Sequence, residues 1–329
     1  MSEHLWQPSA ELDSLRQRGE LLRNIRNYFH QEDVMEVETP MLSHHATVDP
    51  HIDSFQTVFT PLGTKAQEKL YLHTSPEFPM KRLLSAGSGD IYFLGRVFRN
   101  GEAGGRHNPE FTMLEWYRLG IDHHALMDDV TGLLAAVTNF EEQARFSYRE
   151  LFEEEFGIDP HTATDETLMK LTHEYVDSGL SGLARNDYLD LLFSTSIEPN
   201  LGDYVDGQIQ GVFVYDYPAS MSALSRIIVN EQGQKVAARF ELFANGYELA
   251  NGYHELADGH EQRARFEKDL QERELLGKPV YPYDQNMVSA LEQGFPDCAG
   301  VAMGIDRLHM LIAQKRAIKD VIPFEFFRA

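Results

Sequence analysis

Residues 91–118 limit the fold more than any other stretch. "IYFLGRVFR" and "EFTMLEWYR" are alternating, β-prone runs on either side of the loop "NGEAGGRHNP". A link this short joins neighbouring antiparallel strands, because a parallel pair needs a crossover of about a dozen residues or more. Alternation then puts Phe111, Met113, Glu115 and Tyr117 on one face. Further strand candidates are "KLYLH", "GVFVYDYP", "VAARFELFANGYELANGYHEL" and "CAGVAMG", and "VMEVETP" reads as a short strand ended by Pro40. No βαβ rhythm connects them. The pattern predicts an α+β fold, a mostly antiparallel sheet flanked by helices.

Helical spacing of Leu12, Leu15, Leu22, Ile25 and Phe29 predicts an amphipathic helix from near Asp13. Other helices are expected at "SPEFPMKRLLSAG", "GHEQRARFEKDLQERELLG" and "IDRLHMLIAQ", and a mainly helical insertion at about 123–200. No repeat or interdomain linker is visible, so 1–329 is expected to form a single catalytic domain.

Charge and cysteine content narrow the partners. The 52 acidic against 29 basic side chains leave a net charge of -23, which repels polyanions and argues against nonspecific nucleic-acid binding. A single cysteine, Cys298, permits no internal disulfide and fits a reducing compartment. No stretch reads as a signal peptide or a membrane span, so the expected location is cytoplasmic, with no membrane partner. His44, His45, His123 and His124 read as surface residues.

Two constellations carry chemistry. Around the glycine-rich loop, Arg99, Arg106, His107 and Asn108 suit a phosphate, since small residues let N–H groups approach while guanidinium forks bind oxyanions in pairs. Phe111 offers a flat face to a base, and Glu115 on the same face is costly to bury alone. A polar hairpin tip is the plainer alternative. There is no P-loop, and in "HELAD" Asp258 stands where a zinc motif needs a second histidine.

The second constellation is "RFELFANGYELANGYHEL". Asn245-Gly246 signals a type I′ turn, pairing Ala244 with Tyr247 and Phe243 with Glu248. Glu241 and Glu248 become diagonal neighbours about 7–8 Å apart, able to bridge Mg²⁺; a solvated acidic hairpin is the alternative. Asn251 and Glu255 reach that face only if a bulge near Asn251-Gly252 resets the register. Regular pairing from Ala250 to Glu255 would contradict it.

"VMEVETP", "FRNGEAGGRHNPEFTMLEWY", "RFELFANGYELANGYHEL" and "GVAMGIDRL" resemble the signature segments of class II aminoacyl-tRNA synthetases, specifically the lysine branch. The resemblance runs from about Leu12 to the end. Because the motif-1 helix starts near Asp13, no anticodon-binding domain is expected, and the chain resembles the protein-modifying paralogues of the branch. This implies activation of (R)-β-lysine or lysine with ATP and Mg²⁺, transfer to a lysine side chain of elongation factor P, no tRNA partner, and a homodimer through the motif-1 helix and the strand ending at Pro40.

Residue by residue, the resemblance implies that Arg99 holds the α-phosphate and the substrate carboxylate. Asn108 and the Asn100–Gly101 backbone would contact adenine over Phe111. Arg307 would cover the other side and the γ-phosphate, with Gly304 allowing close approach. Glu241 and Glu248 would hold Mg²⁺-ATP, with Leu242 beside them. Ser75, Pro76 and Glu77, from "TSPE", would flank the substrate amino group. Glu115, Tyr117, Glu248, Asn251, Glu255 and Ala302 would form the rest of the amino-acid pocket. Three positions depart from the synthetases: Gly101 replaces the usual Glu, with Glu102 next door as its candidate replacement, Ala302 replaces Gly, and Ser75 replaces the common Ala. A compact tRNA-charging enzyme, an amide ligase of the asparagine synthetase type and a non-catalytic paralogue are the rival readings.

Overall fold

The hairpin forms in regular register: Ile91–Phe98 and Glu110–Leu119 pair antiparallel, from Ile91 opposite Tyr117 to Phe98 opposite Glu110. The computed structural model describes residues 6–329, and the chain divides into two units. The first comprises the residues up to Gly120, Leu256–Asp297 and Ala302–Ala329. The second comprises Ile121–Glu255 and Cys298–Val301. The boundary falls inside the strand Cys298–Gly304.

In the first unit the expected N-terminal helix spans Leu12–Gln31. Its Phe29 is fully buried, stacked on Tyr92 with centroids 4.4 Å apart and edge-on to Trp116. Leu12 is exposed, and the inward stripe instead includes Arg18. The strand after the helix is only Met35–Glu36 and runs parallel to Ile91–Tyr92, a departure from antiparallel pairing that the long 37–90 connection permits. A second, three-stranded sheet orders Leu42–Ser43, Glu68–Leu72 and Gln56–Phe59. Glu77–Ser85, Gly259–Leu275 and Gln285–Gln293 supply helices. Asp258 caps Gly259–Leu275, accepting from the His260 and Glu261 amides, so "HELAD" is a helix start.

Helix Ile305–Ile312 is fixed from within by charge. Asp306 lies 2.6 Å from the buried Arg18 and accepts the Thr112 N–H, while Arg18 also donates to the Thr112 hydroxyl. One turn on, the fully buried His309 has its pKa pushed down to about 4 by burial and by Arg18. The folded-state value lies below the unfolded one, so its stabilisation is present above about pH 6.5 and is lost as pH falls toward 4. Between pH 7 and pH 5 it should cost about 2 kcal/mol. In urea titrations at those two pH values, His309→Gln should show a smaller loss than the parent; an equal loss would remove His309 as the cause.

In the second unit, Tyr247–His254, Lys235–Ala244, Gln208–Pro218 and Phe140–Ser147 lie side by side in that order. The 123–200 insertion is helical at His123–Val137, Tyr148–Phe156, Asp165–Tyr175 and Arg185–Leu192, but it also contains the strand Phe140–Ser147, parallel to Gln208–Pro218. This edge strand is mostly half-buried, and its "FEEQARFS" composition hides it from hydropathy. Beneath the sheet, Tyr148, Phe152, Phe193 and Phe243 pack in one aromatic cluster. Among the described residues no helix is long and apolar enough to cross a membrane.

Candidate active site

The regular strand Glu110–Leu119 supplies the first set of residues. Glu115 is buried, and the Tyr117 hydroxyl donates to it at 2.8 Å, which places both on the face that alternation assigns. Arg99 follows the partner strand, its N–H donating to the Pro109 carbonyl at 2.9 Å across the mouth of the loop. The guanidinium lies over Phe111, 5.2 Å from the ring centroid, and 3.8 Å from Glu102. Its Nε is buried without a hydrogen-bond partner among the described residues, a donor that an oxyanion would satisfy.

The loop between them is backbone-determined. Asn100 donates its N–H to Asp53, and Gly101 has φ 89°, where a glutamate would be strained. That accounts for glycine at 101, and the Glu102 carboxylate faces Arg99. Asn108 donates to the Glu110 carbonyl at 2.6 Å and accepts the Phe326 N–H at 2.9 Å. Its side-chain amide therefore holds the loop to the C-terminal segment, leaving backbone groups for a base. Arg307 reaches the same loop from helix Ile305–Ile312, its Nη2 2.7 Å from His107 Nε2. Gly304 precedes that helix, and a Cβ there would meet only Arg307 Cδ at 4.0 Å. Packing within the chain would therefore admit a side chain at this position.

Pro76 stands at the N-cap of helix Glu77–Ser85, and Ser75 Oγ accepts the Glu77 N–H at 3.4 Å. Glu77 lies 2.7 Å from the fully buried Lys81, a partner visible in retrospect from the i,i+4 spacing. Ala302 is half-buried in Cys298–Gly304.

The second set is on the Lys235–Ala244/Tyr247–His254 hairpin. Asn245 and Gly246 have φ of 52° and 66°, as a type I′ turn requires, and Ala244–Tyr247 and Phe243–Glu248 pair as expected. The bulge is displaced. Ala250 to Tyr253 pair regularly, so none occurs near Asn251-Gly252; the extra residue is Leu249. Leu249 and Ala250 both bury apolar side chains, as do Leu242, Phe243 and Ala244 on the neighbouring strand, so burial does not mark the bulge and the shift in pairing does. The consequence is the one sought, since Asn251 now stands directly opposite Glu241. Glu255 lies just past the strand, buried, its N–H donating to the Cys298 carbonyl. Leu242 points to the other face and is fully buried, which limits it to backbone contacts.

Glu241 is embedded in a network that pattern reading missed. Arg239 donates to one of its oxygens and Tyr217 to the other at 2.7 Å; Arg239 also donates to Asn251 and lies 4.6 Å over the Tyr217 ring. Arg239 sits two residues before Glu241 on the same strand, so alternation alone could have flagged it. Burial raises the Glu241 pKa to about 7, against the opposing pull of Arg239 and with a further push from the Glu248 charge.

The model of the tRNA synthetases class II (D, K and N) family matches residues 5–327. Among curated proteins, the chain is 47% identical over 334 residues to an elongation factor P–(R)-beta-lysine ligase of Vibrio cholerae, with the whole of both chains covered. It is 46% identical over 331 residues to the ligase of that name from Pseudoalteromonas translucida, again end to end, and 44% identical over 326 residues to that of Yersinia enterocolitica, covering 98% of each chain. The chain therefore belongs to the class II (D, K and N) tRNA synthetase family, in the branch formed by these elongation factor P–(R)-beta-lysine ligases.

Proposed function

We propose that this chain uses ATP to activate (R)-β-lysine as an aminoacyl-adenylate and transfers it to a lysine side chain of elongation factor P. The observation that carries the reading is end-to-end similarity to relatives bearing that name, joined to a residue set suited to the chemistry. In the first step the substrate carboxylate attacks the α-phosphorus and the bond to pyrophosphate breaks. In the second, the acceptor ε-amine attacks the mixed anhydride carbonyl and AMP leaves.

Arg99, with its buried unpaired Nε, and Arg307 beside His107 orient the nucleotide and neutralise charge. Phe111 stacks the base. Glu115, Tyr117, Glu248, Asn251 and Glu255 select a doubly positive amino acid, because charge-assisted hydrogen bonds are worth about 1.5–3 kcal/mol each and a neutral analogue leaves buried carboxylates unpaired. Ser75 and Glu77, the latter paired with Lys81, flank the amino group; Ala302 shapes the floor.

Glu241 and Glu248 suit Mg²⁺, since both are carboxylates on one face and the Glu248 charge raises the cost of ionising the buried Glu241. When bound, the ion supplies charge neutralisation on the phosphates. Arg239 and Tyr217 hold the Glu241 carboxylate in one orientation.

The reading extends to assembly and setting: a homodimer using the Leu12–Gln31 helix and the residues after it, where Leu12, Met35, Met41 and Leu42 are exposed apolar side chains, in the cytoplasm, with no tRNA substrate given the charge of -23. Light scattering should return twice the chain mass.

The deciding experiment is ATP–pyrophosphate exchange with lysine, (R)-β-lysine and (S)-β-lysine, followed by intact mass of elongation factor P. Exchange should be fastest with the (R)-β isomer, and elongation factor P should gain one lysyl unit while total tRNA stays uncharged. Charged tRNA with unmodified elongation factor P would select the rival enzyme.

A further inference from the structure

Helix His123–Val137 opens on two consecutive histidines that the proposed reaction does not use. His123 is not on the surface as its sequence context suggests: it is 2% exposed, and neither ring nitrogen has a hydrogen-bond partner among the described residues. Facing it, 3.7 Å from Nε2, is Oδ1 of Asp216, also buried and also without a hydrogen-bond donor. That separation is too long for a hydrogen bond. Buried polar groups left unsatisfied in this way are costly, so the arrangement calls for a partner.

The third group is His124, exposed to solvent, its ring 4.2 Å from that of His123 by centroids. One ligand atom each from His123, His124 and Asp216 lies within 4.8 Å of the others. Asp216 belongs to Gln208–Pro218, where the pairing with Lys235–Ala244 slips register, and its φ of 57° is the left-handed conformation that aspartate tolerates better than most residues. His254 stacks 6.4 Å from His123 on the side of Tyr247–His254. The nearby Arg145 is committed to Glu142 and Asp128.

We propose that His123, His124 and Asp216 form a binding site for a zinc-class divalent cation, distinct in its ligands from the Glu241–Glu248 pair. Two imidazoles and a carboxylate are the donor set such ions prefer over Mg²⁺. Ligand bonds of about 2.0–2.2 Å in tetrahedral geometry put ligand atoms roughly 3.4 Å apart, so the His123–Asp216 pair needs only a small contraction, and the exposed His124 can swing to complete the set. Three protein ligands leave a fourth position for water. The bound ion takes one buried His123 nitrogen and the Asp216 oxygen, and ties the helix start to the sheet.

The test is zinc titration of the full-length protein after chelator treatment, against a chromophoric competitor, with Co²⁺ substitution as a spectroscopic readout. The parent should bind one ion per chain, show tetrahedral Co²⁺ absorption and melt at higher temperature with Zn²⁺. His124→Ala, a surface change, and Asp216→Asn, which keeps the left-handed preference, should each weaken binding by at least about tenfold and abolish the Co²⁺ bands. Absence of zinc binding in the parent, or unchanged binding and spectra in both variants, overturns the proposal. Pyrophosphate exchange measured alongside keeps this result separate from the ligase reading, because neither residue belongs to that set.

Discussion

Arg99→Ala is expected to slow ATP–pyrophosphate exchange by about 10²–10³-fold, the usual loss when one preorganised transition-state donor is removed. The guanidinium is held between Phe111 and Glu102 with its Nε buried and unpaired, so it is positioned before any substrate arrives. Arg99→Lys should recover only part of the loss, because an ammonium keeps the charge but not the planar fork. Unfolding by urea should barely change, since the side chain lies at a loop edge. Exchange at the parental rate in Arg99→Ala would reject the role assigned to this residue.

Asp306→Ala should destabilise the chain by about 3–5 kcal/mol, the cost of leaving one member of a buried ion pair without its partner. Here that member is Arg18, whose side chain is only 7% exposed. The Thr112 N–H loses its acceptor at the same time, and the next residue is Arg307, so exchange should fall along with the urea midpoint. The double variant Arg18→Met/Asp306→Leu should regain much of the stability, because the penalty comes from the stranded charge rather than from the missing attraction. A single variant within about 1 kcal/mol of the parent would mean that water reaches Arg18.

Legibility in the sequence followed the range of the interactions. The 91–119 hairpin, its face carrying Phe111, Glu115 and Tyr117, and the Asn245-Gly246 turn were readable because side-chain alternation and positive φ are properties of adjacent residues. The bulge was misplaced by two residues, to Asn251 instead of Leu249, because it is a property of the register between two strands and the side chains around it are buried on both faces either way. Phe140–Ser147 was hidden because an edge strand needs few apolar residues once a neighbour supplies its hydrogen bonds.

For the site, the sequence determined the chemical inventory: two arginines around a glycine loop, and carboxylates on two strands. The tertiary structure decided which of those groups were already engaged. It joined Glu77 to Lys81, Glu241 to Arg239 and Tyr217, Asn108 to Phe326, and Asp306 to Arg18. It also buried His123 against Asp216. Local pattern reports which face a side chain takes, whereas the partner and dielectric that set its charge come from segments far along the chain, and only folding brings those together.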